Sequence, residues 1–543
     1  METEPLKQKT QRPATEEKPT LAEEEAGRDD QVRQTEPLHL FFADQAMAAW
    51  VEIPESRKNT VDLSEVKKLL DRYGVVHGIY SDPVLKTLLD GNYHRFMAAA
   101  ATFRLDPAAC SRTVFFEQKA RGTTMKKGET MAALTPEADK HPGECLKIED
   151  VFGRIREQSL TGMKFFPVFR CGQGARVSRD SLKVVAGKSG MPWISIEGRF
   201  YVFPLLNVLE DADMRFGRIQ SFSSVNISGV LTGAYPLQVG RLRAKELRDA
   251  DVEAIDDIRV EIGITNSKII TQGSVRARYI RNSTIEAFGD VEVDHEIIDS
   301  RIIVSGRCRS LKGKIIASKI SAKQGVTARG IGSEVAEPSV ISAGREDHLI
   351  LAGARIDMAV DAAEQKLRRM ENEENEVADA IQTLFKKMVE LKLFYDQLTQ
   401  KKEKLQQIVD GREALPDEKT LEKHAKTFQA LESLEKKAAS TISSLKALNR
   451  DKKAGENRRR TIQKNIKNIR AGVESKVMVL AMDRAELFQY AREKRPVPQI
   501  QVTGPIAGGT VFKGLFSSLT IRDGDKNVTI AEEGADLRLI RPG

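Results

Sequence analysis

Five phrases decide the fold: Asn266-Ser-Lys-Ile-Ile-Thr-Gln-Gly273, Asn282-Ser-Thr-Ile-Glu-Ala-Phe-Gly289, Asp299-Ser-Arg-Ile-Ile-Val-Ser-Gly306, Ala317-Ser-Lys-Ile-Ser-Ala-Lys-Gln-Gly325 and Pro338-Ser-Val-Ile-Ser-Ala-Gly344. Their aligned isoleucines are Ile269, Ile285, Ile302, Ile320 and Ile341, at steps of 16, 17, 18 and 21 residues. Upstream, Val252 and Val225 fit the same slot more loosely. Each phrase alternates β-branched residues, closes on a glycine, and has a serine at its corner (Ser267, Ser283, Ser300, Ser318, Ser339). Alternation at period two reads as strand, and Gly with Asn or Asp reads as turn. A repeat this short cannot bury its own core, so neighbours must stack and share one. The recurrence of one residue in one slot favours a β-helix over an antiparallel meander, which would reverse strand direction at each step.

Working outward, Pro204-Leu-Leu-Asn-Val-Leu209 leads into the repeat, and a long helical pattern follows it. From Ile356 to Val409, apolar residues recur at steps of four and three, and only Glu374 and Lys402 break the seam. That is the signature of a coiled coil. At about 1.5 Å per residue such a helix is on the order of 80 Å long. Asp410-Gly-Arg-Glu-Ala-Leu-Pro416 interrupts it, and a weaker pattern resumes through Leu421, Phe428, Leu431, Leu434, Ile462, Ile466, Ile469 and Val473. Two arms around a Gly/Pro break predict an antiparallel hairpin. A turn near Leu415 sets Glu371–Glu376 opposite roughly Asp451–Glu456, with Glu374 near Lys452 or Lys453. Beyond Arg495-Pro496, strands at Gln499–Pro505, Gly509–Phe512 and Ser518–Ile521 suit a cap over the last coil, where bare strand edges would otherwise face solvent.

The expected fold is multi-domain α+β. A disordered tail (1–36) precedes an N-terminal α+β module (37–108) and a strand-rich connector (109–208). Then come a parallel right-handed β-helix (209–352), an antiparallel coiled-coil hairpin (353–494) and a C-terminal β cap (495–543). Within the first module, Asn59–Ser64 caps a helix over 64–73, Gly74–Tyr80 reads as a short strand, and Asp82-Pro83 opens a second helix. A charged fraction of 30% with only 6% aromatics suits long exposed helices and a solenoid. A net charge of +8 is modest for 543 residues and does not by itself mark a polyanion binder. The four scattered cysteines read as free thiols of a reducing compartment. No apolar run reaches the length of a membrane span and the amino terminus is no signal peptide, so the chain reads as cytoplasmic.

No set of groups in the sequence assembles into a catalytic constellation. Ala186-Gly187-Lys188-Ser189 ends like a phosphate-binding loop, but the glycine required five residues before Gly187 is Leu182. His141 and Cys145 flank a Pro-Gly turn and make a poor metal pair. Asp290-Val-Glu-Val-Asp-His-Glu296 sets carboxylates on one strand face with Val291, Val293 and His295 opposite. That could serve a β-helix enzyme or glycan binder, though a solvated face explains it better. The basic arm from Arg450 to Arg470, including Arg458, Arg459 and Arg460, could meet nucleic acid or an anionic membrane surface. No aromatics interleave, however, and an acidic run is available opposite.

In order, the chain has a strand and helix before Gly74-Val-Val-His-Gly-Ile79, then Ala120-Arg-Gly-Thr and His141-Pro-Gly with Asp150-Val-Phe-Gly153, then Val202-Phe-Pro-Leu-Leu206. The β-solenoid, the coiled coil and a short β tail follow. This order resembles the flagellar assembly protein A family of bacterial cytoplasmic proteins, over nearly all of the chain from Leu38 onward. Lys126-Lys127, where the family often has prolines, and irregular coils between Leu231 and Asp249 are departures. The resemblance implies a role in flagellar assembly or its regulation through protein partners, and that the β tail returns beside the solenoid. Together these readings describe a non-enzymatic scaffold with no cofactor and no metal. Its partners are other proteins, nucleic acid is disfavoured, and self-association is left open. The expected contact surfaces are the outer face around Tyr73, His77 and Tyr80, the hairpin tip at Gly411 and Arg412, and the arginines Arg458, Arg459 and Arg460.

Overall fold

The computed structural model describes residues 37–541 except 44–45, 92, 118–122, 138–144, 157–166, 214–221, 234 and 411–417. The tail (1–36) lies outside the described residues. The repeat forms a β-solenoid of about eight turns over residues 205–343, built from two parallel sheets. A typical coil gives one longer strand to the first sheet and one short strand to the second; in one coil the longer strand is split into Ile258–Val260 and Gly263–Thr265. Val275–Arg281 with Thr284–Ala287 makes one coil, and Val291–Ile298 with Arg301–Val304 makes the next. In the short-strand sheet the register runs Leu237, Val252, Ile269, Ile285, Ile302, Ile320, Ile341 and then Phe512. All are buried. Val225 is a correction: it pairs with Leu242 in the long-strand sheet, and Leu237 fills the slot ahead of Val252. The solenoid also begins earlier than residue 209, since Leu205–Val208 already pairs with Ser224–Thr232.

The corner residues carry a hydrogen-bond ladder. Asn266, Asn282, Asp299 and Ala317 turn the chain with φ of +44° to +50°, a conformation that Asn and Asp tolerate best among residues with a side chain. The next residue is the serine. Its hydroxyl donates to the carbonyl two residues back, at 2.6–2.7 Å for Ser267, Ser283, Ser300 and Ser318. It also accepts the backbone N–H of the preceding coil's serine: Ser267 N–H to Ser283, Ser283 to Ser300, Ser300 to Ser318 and Ser318 to Ser339, at 3.1–3.3 Å. Buried corner amides that no strand can pair are thereby satisfied.

The hairpin is an insertion between two coils. In the leading module, α1 (Leu63–Arg72) and α2 (Asp82–Asp90) lie beside a three-stranded antiparallel sheet. After the short strand Val340–Ala343, the chain runs out along α3 (Asp347–Asp410) and back along α4 (Glu418–Glu493). Gln499–Ile506 then pairs parallel with Val326–Ile331, and Val511–Lys513 with Val340–Ala343, completing a further coil. Ser518–Thr520 and Asp525–Glu533 add antiparallel strands, and this reversal ends the stack. Along the arms, Glu374 meets Arg459 and Lys402 meets Glu435. Glu374 was expected at Lys452 or Lys453, so the true register is offset by about two helical turns. Seam periodicity sets which face meets the partner arm and leaves sliding along it free.

Gly74–Tyr80 is a turn with a single bridge, Ile79 to Ala99, rather than a strand. Gly74 and Gly78 both have positive φ, and a Cβ on Gly78 would meet the Ala100 carbonyl oxygen at 1.8 Å.

Candidate interaction surfaces around the hairpin root

The first turns of α3 and the last turns of α4 form a root gripped by three domains. On the solenoid side, Lys323 Nζ lies 2.6 Å from Glu346 and donates to the Ala491 carbonyl at 2.7 Å, with both side chains 2% exposed. Burial raises the Glu346 pKa, against the pull of Lys323. His348 shares a hydrogen bond with Ser305 through Nδ1 at 3.0 Å and stands edge-on to Phe288. Burial pushes its pKa down to about 3. Arg355 pairs with Glu286 on the outer face of the short-strand sheet. On the connector side, the buried Asp483 carboxylate accepts from Arg170 at 2.8 Å and is also bonded by Arg199, while Arg170 reaches Glu486 at 3.3 Å. On the module side, Tyr80 stacks on Phe488 with centroids 3.8 Å apart, and Arg484 pairs with Asp357 beneath Trp50. One apolar cluster joins Leu70, Leu85 and Phe96 to Leu349, Ile350 and Leu487. Two long helices thus meet three partners through buried charges that each have a counter-ion at the root.

These contacts redistribute the expected site residues. Tyr73 is exposed, but Tyr80 is only 4% exposed and belongs to the root, so it is removed from the expected contact face. His77 is half-buried, bonded to Thr102 at 2.7 Å and near Glu149 at 3.0 Å. Burial lowers its pKa while Glu149 works the other way. Gly411 and Arg412 lie outside the described residues, as does His141. Arg458 and Arg459 pair with Glu373 and Glu374 at 2.7 and 2.6 Å, and Arg470 with Glu371. Arg460 is exposed. Three of the arm's basic side chains are therefore answered from the opposite arm, and Lys452 pairs with Glu456 on its own helix.

The carboxylates of 290–296 are answered as well. Glu292 lies 3.1 Å from Arg309 and 4.0 Å from Arg276, Asp290 lies 3.7 Å from Arg309, and Glu296 pairs with Arg281. His295 faces solvent rather than inward, because a bulge between Glu292 and Glu296 shifts the alternation. Among the described residues, no group of three His, Cys, Asp or Glu side chains could hold a metal ion. Gly187-Lys188-Ser189 is a turn between the strands Lys183–Ala186 and Met191–Ile194, with no helix behind it to face a phosphate. The cysteines are free. Burial raises Cys110 and Cys308 to about 12 and Cys171 to about 11, which keeps them as unreactive thiols.

One surface escaped the sequence reading. Phe385, Val389 and Leu393 are exposed along the flank of α3, four residues apart, while the seam residues Leu384, Met388, Leu391 and Leu398 pack toward α4. The stripe lies about 140° round the helix from that seam at 100° per residue. The i, i+4, i+8 spacing was its available signal, masked by the stronger seam beside it. Among the described residues, no helix is long and apolar enough to cross a membrane.

Among known families, residues 204–419 fit the one described as Flagellar Assembly Protein A beta solenoid domain. That span covers the solenoid and runs through α3 into the start of α4. No curated protein matched, and no solved structure matched. Residues 204–419, which hold the two stacked parallel sheets and the outgoing helix, thus carry the β-solenoid domain of the flagellar assembly protein A family.

Proposed function

We propose that this is a non-enzymatic cytoplasmic scaffold of flagellar assembly. Its solenoid is the spine, and its hairpin is a rigid arm that presents a docking stripe to a partner protein. The observation that carries the reading is the root: an arm gripped by the Lys323–Glu346 and Asp483–Arg170–Arg199 contacts holds its outer half at a set position. The occupant we assign to the Phe385–Val389–Leu393 stripe is an amphipathic helix of a flagellar assembly component. Three apolar side chains at four-residue spacing match a helix laid alongside, as in other helix-on-helix recognition. Lys386 and Lys387, exposed beside the stripe, favour a helix with acidic flanks.

The test places a photo-crosslinking amino acid at Leu393 and, as a control, at Lys437 in the full chain within its own cells. A specific adduct to a flagellar component from Leu393 alone supports the reading. So does loss of swimming in a Phe385→Ser/Val389→Ser/Leu393→Ser variant that keeps its helical content. Adducts only to a second copy of the chain would replace the partner with self-association. Normal swimming of the triple variant, with no adduct, would remove the stripe from the function.

A further inference from the structure

A run of positive charge lies on the solenoid, on the outer face of the long-strand sheet. Parallel in-register stacking sets same-slot residues about 4.8 Å apart. One outward column runs Asn226, Arg243, Arg259, Arg276, Glu292, Arg309, Thr327 and Gln501. From Arg276 to Arg309 the charges alternate and pair across coils. From Arg243 to Arg276, three guanidinium groups follow one another with no carboxylate between them. Lys245 and Arg278 are exposed beside them. Against these five cations stand Asp257, 3.9 Å from Arg259, and Glu292 and Asp294, each 4.0 Å from Arg276, while among the described residues Arg243, Lys245 and Arg278 make no ion pair. Like charges stacked in register are unfavourable, and the Glu292 coil shows how one substitution relieves them. The arginine row is thus a surface whose repulsion an external anion would relieve.

We infer that this face docks on an anionic lipid bilayer. The face is a sheet with basic side chains standing along it, a shape that matches a plane of headgroups, and long arginine and lysine side chains suit that boundary. Leu311 is 63% exposed on the same sheet between Arg309 and Lys312, where an apolar side chain can enter the headgroup layer. Single-stranded nucleic acid would call for open aromatic platforms. Tyr279, on this face, is already engaged: its hydroxyl donates to Glu246 at 3.1 Å and Arg281 lies 5.1 Å over its ring. The hairpin root occupies the short-strand sheet through Arg355–Glu286 and His348–Ser305. A docked solenoid would therefore hold the arm on the side away from the lipid.

The experiment is co-sedimentation of the full chain with phosphatidylcholine vesicles, with and without phosphatidylglycerol. Binding is expected only with phosphatidylglycerol, falling as salt rises from about 0.05 to 0.5 M as screening shortens. The Arg243→Gln/Arg259→Gln/Arg276→Gln variant is expected to bind at least about tenfold more weakly, with unchanged thermal unfolding, because all three side chains are exposed. Arg458→Gln/Arg459→Gln/Arg460→Gln is expected to bind as the parent does. Equal binding to both vesicles, or loss with the arm variant instead, would overturn the inference. So would preferential retention of single-stranded RNA over vesicles, which would make the face a nucleic-acid surface. The arm's docking stripe is tested separately and stands or falls without this result.

Discussion

In the solenoid the core contacts repeat from coil to coil, whereas at the hairpin root each contact occurs once. Ile285 is buried between Ile269 and Ile302 just as Ile302 is between Ile285 and Ile320. The serine hydroxyls repeat with the same spacing. These contacts are apolar or neutral. The root instead uses Lys323, Glu346, Asp483, Arg170 and Arg484, all buried and each with its own partner. A repeated neutral ladder gives length and tolerates local damage, because stability is shared among neighbours. Single charged contacts give one orientation and fail together with any one member.

The sharpest way to break the comparison is to remove one charge at the root. Lys323→Met leaves the Glu346 carboxylate buried without its cation, and we expect a cost of about 3–5 kcal/mol in local opening. Native-state hydrogen exchange of the Leu349–Ala352 amides reads that opening directly. Lys323→Met/Glu346→Met should recover most of the protection, since two apolar side chains replace the pair. A single variant that exchanges like the parent would show that the pair does not hold the arm.

That contrast also explains what was legible in the residues themselves. The Ile269–Ile341 ladder, the serine corners and the Leu384–Leu398 seam were readable because periodicity repeats the same physical demand. Tyr80 was misread as surface, because what buries it is Phe488, some four hundred residues away. Lys323 and Glu346 carry no local sign of burial either, since charged residues in loops are usually solvated. His295 was placed on the wrong face by a single bulge. The hairpin's register slipped because heptads specify a face and leave the axial position open. The fold was therefore largely visible, and the root, which no pattern repeats, was not.

A smaller effect is expected inside the solenoid. Ser300→Ala removes the acceptor of the Ser283 N–H and leaves that buried amide unpaired. The expected cost is about 1–3 kcal/mol, seen as faster exchange at Ser283, with protection at Ile269 and Ile341 unchanged. Loss spreading along the whole stack would mean that the serine ladder is cooperative rather than locally additive.

The finest distinction is pH. His348 has an ordinary pKa of 6.5, and burial holds it at about 3 in the folded root. The unfolded chain therefore takes up the proton first. Stability at the root is fully present above about pH 6.5 and falls by ~1.4 kcal/mol per pH unit as the pH drops from there toward 3. Glu346 opposes this trend, since its raised pKa means that the folded root takes up a proton more readily than the unfolded chain. Asp347 and Arg345 adjoin the same turn, so the informative quantity is the difference between parent and His348→Gln. Between pH 7 and 5.5 the parent should lose protection at Leu349–Ala352 by about tenfold more than the variant does, while Ile285 and Ile302 stay unchanged in both. Identical slopes would mean that the neutral imidazole against Phe288 and Ser305 is not what couples the arm to protons. A slope present in the solenoid as well would erase the difference between a ladder of neutral contacts and a joint of charged ones.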